Sequence, residues 1–269
     1  MAMIGFASAH GSPGATALAV AVAHRLPDCT GRSAVLVEAD PDGGTIAARH
    51  AMHGPSGFTA LAGAARSAIT EADVLRLAAP MSSGVLAFAG HPAGDQAHAA
   101  LRTGAANLAP VLASMAQHDV VVDLGRLRPG SPAIPLAKAC RAIVLVARPV
   151  LEQLVAAADR IETLGRLAPV RLVLVGDRPY GEAEVRRVLG VDQLTIVADD
   201  PVAVAADPAA AGRRRSAWRR SVGQVTAELA HLLADDESAA DGADADDETV
   251  ADGADGELDR SVLRWAVRT

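Results

Sequence analysis

Short apolar runs rich in valine, leucine and isoleucine recur along the first two hundred residues and alternate with longer stretches of helical character. Such continuous runs are typical of strands buried on both faces of a parallel sheet, because a half-exposed strand would alternate apolar with polar residues. Glycine, proline and aspartate mark the joints. The pattern predicts an α/β fold, with a doubly wound, mostly parallel sheet of about seven strands and helices on both faces.

The predicted strands span residues 2–7, 33–39, 84–88, 119–123, 142–147, 170–175 and 194–198. The predicted helices span residues 15–26, 57–66, 96–116, 132–139, 150–167, 181–188 and 213–234. Two cysteines are too few for a disulfide framework, and no run approaches the roughly 18 apolar residues of a membrane span. The start of the chain lacks the pattern of a signal peptide. We therefore expect a cytoplasmic protein.

The chain divides by charge into three regions. Residues 1–234 form the predicted α/β domain. Residues 235–259 carry twelve acidic side chains and no basic one, so the net charge of −7 belongs to this part of the chain. Without an apolar period, residues 235–257 are predicted to be a disordered acidic linker. Residues 258–269 are predicted to form a short basic amphipathic helix.

The terminal helix would carry Leu258, Val262 and Trp265 on one side and three arginines on the other. A basic amphipathic helix can lie in a layer of lipid headgroups, which would place the protein at the inner face of the membrane. It can equally dock into a groove of a protein partner. Both interpretations stay open, as does the absence of any role.

Residues 8–16 have the sequence Ser-Ala-His-Gly-Ser-Pro-Gly-Ala-Thr and lie between the first predicted strand and helix. A glycine loop in this context points backbone N–H groups at phosphate oxygens. The candidate phosphate-binding residues are Gly11, Ser12, Gly14, Ala15 and Thr16. The Thr16 hydroxyl is also a candidate magnesium ligand. A phosphate-binding loop normally has lysine at the position of Ala15, and the one lysine of this chain is Lys138.

Two aspartates follow later strands at positions where they can meet this loop. Asp40 lies in Ala-Asp-Pro-Asp-Gly-Gly, residues 39–44, after the second predicted strand. Asp123 ends the run Val-Val-Val-Asp-Leu-Gly, residues 120–125. Both are candidates for holding magnesium and water, and both can equally be strand-end acids inherited by a site that no longer works.

Together these segments resemble the ParA/MinD family, whose deviant Walker A loop reads G-K-G-G-x-G-K-[ST]. The resemblance covers about residues 1–232. It implies ATP or ADP with magnesium as cofactors, Thr16 and Asp123 near the metal, Asp40 preparing the attacking water, and a homodimer. His10 and Ala15 stand where the family has lysines. Phosphoryl transfer depends on charge neutralisation, so we expect little or no hydrolysis.

The resemblance therefore implies a degenerate member that acts as a positioning, assembly or regulatory scaffold through dimerisation and a protein partner. One branch with altered loops, the CpaE/TadZ-like proteins, places pilus or secretion machinery in the cell. The alternatives are an active ATPase of the partitioning type and a nonspecific DNA-binding partition protein. The DNA alternative rests on a cluster of arginines near the start of the last long helix: Arg213, Arg214, Arg215, Arg219 and Arg220. Such a cluster can bind phosphate backbones, or it can be a solvated helix face.

Overall fold

The computed structural model describes residues 3–11, 13–52, 57–205 and 216–240, with side chains as far as residue 234. The predictions for Ser12, for Arg213, Arg214 and Arg215, for the acidic linker beyond residue 240, and for the terminal helix with Leu258, Val262 and Trp265 concern residues outside these ranges. They stay predictions.

The eight strands of the described residues form one sheet in the order β3-β4-β2-β5-β1-β6-β7-β8. They are β1 Met3–Ser8, β2 Ser33–Glu38, β3 Ala79–Pro80, β4 Leu86–Phe88, β5 His118–Asp123, β6 Ala142–Ala147, β7 Val170–Val175 and β8 Leu194–Val197. Neighbouring strands run parallel except for β3 and β4. The predicted fold class is confirmed, and all seven predicted strands are present. The additional strand, β3, is two residues long, too short to leave a pattern in the sequence.

The described residues contain ten helices. They are α1 Ala15–Thr30, α2 Ile46–Arg49, α3 Phe58–Ala64, α4 Glu71–Leu77, α5 Gly94–Ala113, α6 Ile134–Lys138, α7 Leu151–Gly165, α8 Glu182–Leu189, α9 Pro201–Ala205 and α10 Ala217–Ala240. The prediction missed three short helices, α2, α4 and α9. The α10 backbone stays helical beyond the predicted end at residue 234. None of the helices in the described part of the chain combines the length and the apolar character needed to cross a membrane.

Helices cover both faces of the sheet and create two hydrophobic layers. One layer packs α1 and α10 against the sheet, and the other contains buried residues of α3, α5 and α7. The sequence of β5 is continuously apolar because its side chains enter both layers. Val120 and Val122 belong to one layer, whereas Val121 belongs to the other. The strand is buried on both faces, as the sequence pattern indicated.

Helices α3 and α5 approach each other closely at Gly104. A β-carbon added at Gly104 would lie 2.6 Å from both Cα and Cβ of Ala62, which is well inside van der Waals contact. Gly63 lies on the same helix as Ala62 but is exposed, and a β-carbon there would meet no atom within 4 Å. The two glycines therefore form a matched pair.

We expect Gly104→Ala to lower the free energy of unfolding by about 1–3 kcal/mol, because overpacking outweighs the better helix propensity of alanine. Gly63→Ala, the control, should raise it by up to about 1 kcal/mol. Urea unfolding of both variants checks this. Equal stabilisation by the two substitutions would contradict the close approach of α3 and α5.

Candidate functional site

A cleft of about 340 Å³ opens at the carboxyl ends of the central strands. The cleft lies at the end of β1. From β1 the chain passes to β2 on one side of the sheet, whereas the later strand β6 lies on the other side of β1, so the direction of the connections reverses here. Ligands of open α/β sheets bind at such switch points. Backbone hydrogen bonds join the segments that form its floor. The Ser8 amide donates to the Gly125 carbonyl at 2.9 Å, and the Ala39 amide donates to the Asp123 carbonyl at 2.7 Å.

The loop after β1 reaches the start of α1 through two glycines with positive φ, +66° at Gly11 and +104° at Gly14. Gly14 is the N-cap of α1 and has no side chain to accept from the first turn. The first N–H groups of a helix have no intrahelical partners, and the helix dipole makes that end attractive to anions. Gly11, Gly14, Ala15 and Thr16 all line the cleft. The start of α1 is therefore built to receive an anion.

Asp123 lies beneath this cleft and is fully buried. Its Oδ1 accepts from the Gly125 amide at 3.2 Å. Its Oδ2 is buried and has no hydrogen-bond partner among the described residues. Burial raises the pKa of Asp123 to about 7, and the nearby Thr16 hydroxyl opposes this rise without completing a hydrogen bond to Oδ2. An unsatisfied buried oxygen of this kind is costly unless a ligand or ion completes it.

Asp40 lies at the edge of the same cleft and is half-buried. Its carboxyl group rests directly against the Cα of Gly125, whose φ is +57°, so any side chain at position 125 would overlap it. Burial raises the pKa of Asp40, while the Asp42 amide, which donates to Oδ1 at 2.8 Å, opposes the rise. The structure thus places Asp40 at the edge of the cleft and Asp123 beneath it.

Glu38 is a buried acid that the sequence analysis missed. Its carboxylate accepts from the amides of Thr45 at 2.5 Å, Ile46 at 3.0 Å and Gly90 at 2.8 Å. It therefore caps α2 and ties the end of β2 to the segment after β4. Burial raises the pKa of Glu38 despite these three bonds. Because its oxygens are already taken up by amides, Glu38 positions the wall of the cleft.

Magnesium fits the residues that are present. Thr16 and Asp123 would hold it, since a hydroxyl beside an unsatisfied carboxylate oxygen suits a hard cation. Mg²⁺ is usually held by one or two protein oxygens together with water and phosphate. The described residues contain no group of three or more histidines, cysteines or acids that could hold a metal without such help.

Three arginines that the sequence analysis did not single out also line the cleft: Arg49, Arg126 and Arg148. Arg148 makes a two-point contact with Asp199, with Nη1 to Oδ2 at 2.5 Å and Nη2 to Oδ1 at 3.1 Å. This contact raises the pKa of Arg148 and lowers that of Asp199. Arg126 and Arg148 each closely follow a strand end, which is the signal that could have identified them.

An apolar wall closes the side of the cleft away from Asp40. It includes Val175, Pro201, Val204 and Trp218. Trp218 is only 5% exposed and belongs to the core beneath α1 and α10. Of the predicted arginine cluster around it, the described members are Arg219, which is half-buried, and Arg220, which is exposed. The indole is therefore part of both the cleft wall and the core.

The raised pKa of Asp123 predicts a pH-dependent stability. An ordinary aspartate titrates near 4, so between about pH 4 and 7 the folded state binds the proton more tightly than the unfolded state. The stabilisation of the folded state by this bound proton is fully present below about pH 4. It is lost as the pH rises through 7, at roughly 1.4 kcal/mol per pH unit. Asp123→Asn removes it. The unfolding free energy of this variant minus that of wild type should therefore be larger at pH 8 than at pH 5.

Asp199→Asn is the control, because the pKa of Asp199 is lowered and its charge does not change over this range. Its difference from wild type should be the same at both pH values. Urea unfolding at pH 5 and pH 8 measures both variants. A pH-independent difference for Asp123→Asn would contradict the protonated buried carboxyl.

Several solved structures share this architecture. A ParA family ATPase from Chlorobium tepidum TLS matches 84% of this chain and 97% of its own, with 14% identity and a TM-score of 0.71. The cell division ATPase MinD of Pyrococcus furiosus matches 87% and 98%, with 19% identity and a TM-score of 0.65. The septum site-determining protein MinD of Pyrococcus horikoshii, solved with Mg-ADP, matches 91% and 99%, with 16% identity and a TM-score of 0.65.

No family model matches the sequence, and no curated protein does. The likeness therefore lies in the fold: the chain has the eight-stranded, mostly parallel α/β architecture of the ParA/MinD P-loop ATPases.

Proposed function

We propose that this protein is a degenerate relative of the ParA/MinD ATPases that binds a nucleotide with little or no hydrolysis and works as a positioning, assembly or regulatory scaffold. The observation that carries the proposal is Ala15. It is the first residue of α1, lines the cleft and is 6% exposed. A methyl group thus occupies the position from which a lysine would reach the phosphates.

The remaining residues support binding more than catalysis. The start of α1 and the loop glycines offer N–H groups to phosphate oxygens, and Thr16 and Asp123 would hold magnesium. Bound magnesium would neutralise part of the phosphate charge. His10, at the position of the second lysine of the family, is exposed. Loss of one cation that stabilises the transition state can cost about 10³–10⁵ in rate, so the loss of two leaves slow turnover.

A scaffold of this kind would act as a homodimer with a protein partner, and a bound nucleotide would stabilise the form that the partner recognises. The solved relatives support the class of role. They include a cell division ATPase, a septum site-determining protein and a plasmid partition protein from Borrelia burgdorferi bound to AMPPNP. A CpaE/TadZ-like function in pilus or secretion assembly is the finer form of the proposal. The alternative is an active ATPase of the partitioning type.

Replacing Ala15 with lysine tests the proposal. Wild type should bind Mg-ADP and Mg-ATP in calorimetry yet show turnover far below the roughly 10 s⁻¹ of a typical enzyme. Ala15→Lys should tighten nucleotide binding about tenfold or more, because charge-assisted hydrogen bonds contribute about 1.5–3 kcal/mol. Ala15→Met is the control, since it adds a similar length without charge. Enzyme-like turnover by wild type would favour the active ATPase, and no binding of either nucleotide would overturn the nucleotide role.

A further inference from the structure

Two arginines in the segment after β5 share a single carboxylate. The Nη2 atom of Arg126 lies 3.1 Å from Oδ2 of Asp42, and the Nη2 atom of Arg128 lies 3.4 Å from the same oxygen. All three side chains are roughly half-exposed: 43% for Arg126, 56% for Arg128 and 40% for Asp42. Asp42 therefore has two cationic partners, although one would neutralise its charge.

The two arginines differ in one respect. Arg126 lines the cleft together with Gly11, Gly14 and Ala15, whereas Arg128 does not belong to its lining. Both lie near enough to Asp40 to lower its pKa. Arg126 is thus a cation on the wall of the cleft. Its partner, Asp42, would still be paired with Arg128 if Arg126 moved away.

We propose that Arg126 exchanges Asp42 for the phosphate groups of the bound nucleotide, and so supplies the cleft with the cation that is missing at position 15. This inference rests on the proposed nucleotide binding. Arg128 keeps Asp42 paired during the exchange, so no carboxylate loses its cation. Arg126 is therefore a ligand-binding residue that comes from the segment after β5 and replaces a charge lost from the loop after β1.

The energetics favour such an exchange. An exposed ion pair adds little to stability, because water screens the charges and the long side chain loses freedom. A phosphate offers two oxygens to the planar guanidinium, which binds it in a two-point geometry that a carboxylate shared with Arg128 does not provide. The N–H groups at the start of α1 already face the cleft, so a phosphate would meet both sets of donors.

The other two arginines of the cleft are less suited to this role. Arg148 makes a two-point contact with Asp199, and its departure would break both bonds of that pair. Arg49, the last residue of α2, is shared between the cleft and a neighbouring groove lined by α1 and α10, whereas Arg126 does not line that groove. Asp40 and Glu38 line the same cleft, so an incoming anion needs a cation near them to offset their charge.

The test compares Arg126→Gln with Arg128→Gln. Both variants remove one half-exposed arginine that contacts the same oxygen of Asp42, so their urea midpoints should match. Calorimetry with Mg-ADP and with magnesium-free pyrophosphate measures binding. Arg126→Gln should weaken both ligands about tenfold or more, whereas Arg128→Gln should change them less than about threefold. Equal effects of the two variants would overturn the role of Arg126.

Asp42→Asn separates ligand binding from a structural role. If Arg126 serves the ligand, releasing it from Asp42 leaves binding unchanged or tighter. If the ion pair only holds the segment after β5 in place, Asp42→Asn weakens binding as much as Arg126→Gln does, and the proposal is wrong.

The two ligands also separate this inference from the proposed function. Wild type that binds pyrophosphate but not Mg-ADP, with the pyrophosphate lost in Arg126→Gln, supports the arginine and overturns the nucleotide role. Wild type that binds Mg-ADP with unchanged affinity in Arg126→Gln supports the nucleotide role and overturns the arginine. Wild type that binds neither overturns both.

Discussion

The pairing of β5 between β1 and β2 is the interaction on which the site depends. Because the three strands run parallel, their carboxyl ends lie side by side, and Glu38 is in register with Asp123. The phosphate loop, the Asp40 segment and the arginines after Asp123 consequently meet over one buried floor. Valines on both faces of β5 hold this floor in two hydrophobic layers, so the polar groups above it stand on a rigid base.

The electrostatics of the cleft differ from those of an ordinary phosphate loop. The loop has two glycines of positive φ and leads into the start of α1, but Ala15 provides no charge. The acids remain, and burial raises the pKa values of Glu38, Asp40 and Asp123. The cations that line the cleft come from other segments, after β5 and β6 and from α2. The start of α1 and these arginines together offer an anion both N–H donors and positive charge.

Much of the fold was readable because its strands are buried on both faces and because glycine, proline and aspartate mark the joints between elements. The short helix α2 was missed, since its first amides are satisfied by the Glu38 carboxylate at the end of β2 and not by a side chain of its own N-cap. The candidate site was recognisable from Gly14, Asp40 and Asp123 because each stands directly at a strand or helix end. The burial of Trp218 could not be read from the sequence, because arginines flank it in the chain and only the tertiary packing places it in the core.

The sequence by itself determined the order of strands and helices, the glycine loop and the absence of its lysines, because these depend on residue type and local spacing. Only the tertiary structure decided which charges share the cleft. Arg126 and Asp42 are far apart in the chain, and their contact exists because parallel pairing brings the ends of β5 and β2 together. The burial that raises the pKa of Asp123 has the same origin, since desolvation depends on every segment packed around a carboxyl and on none of them alone.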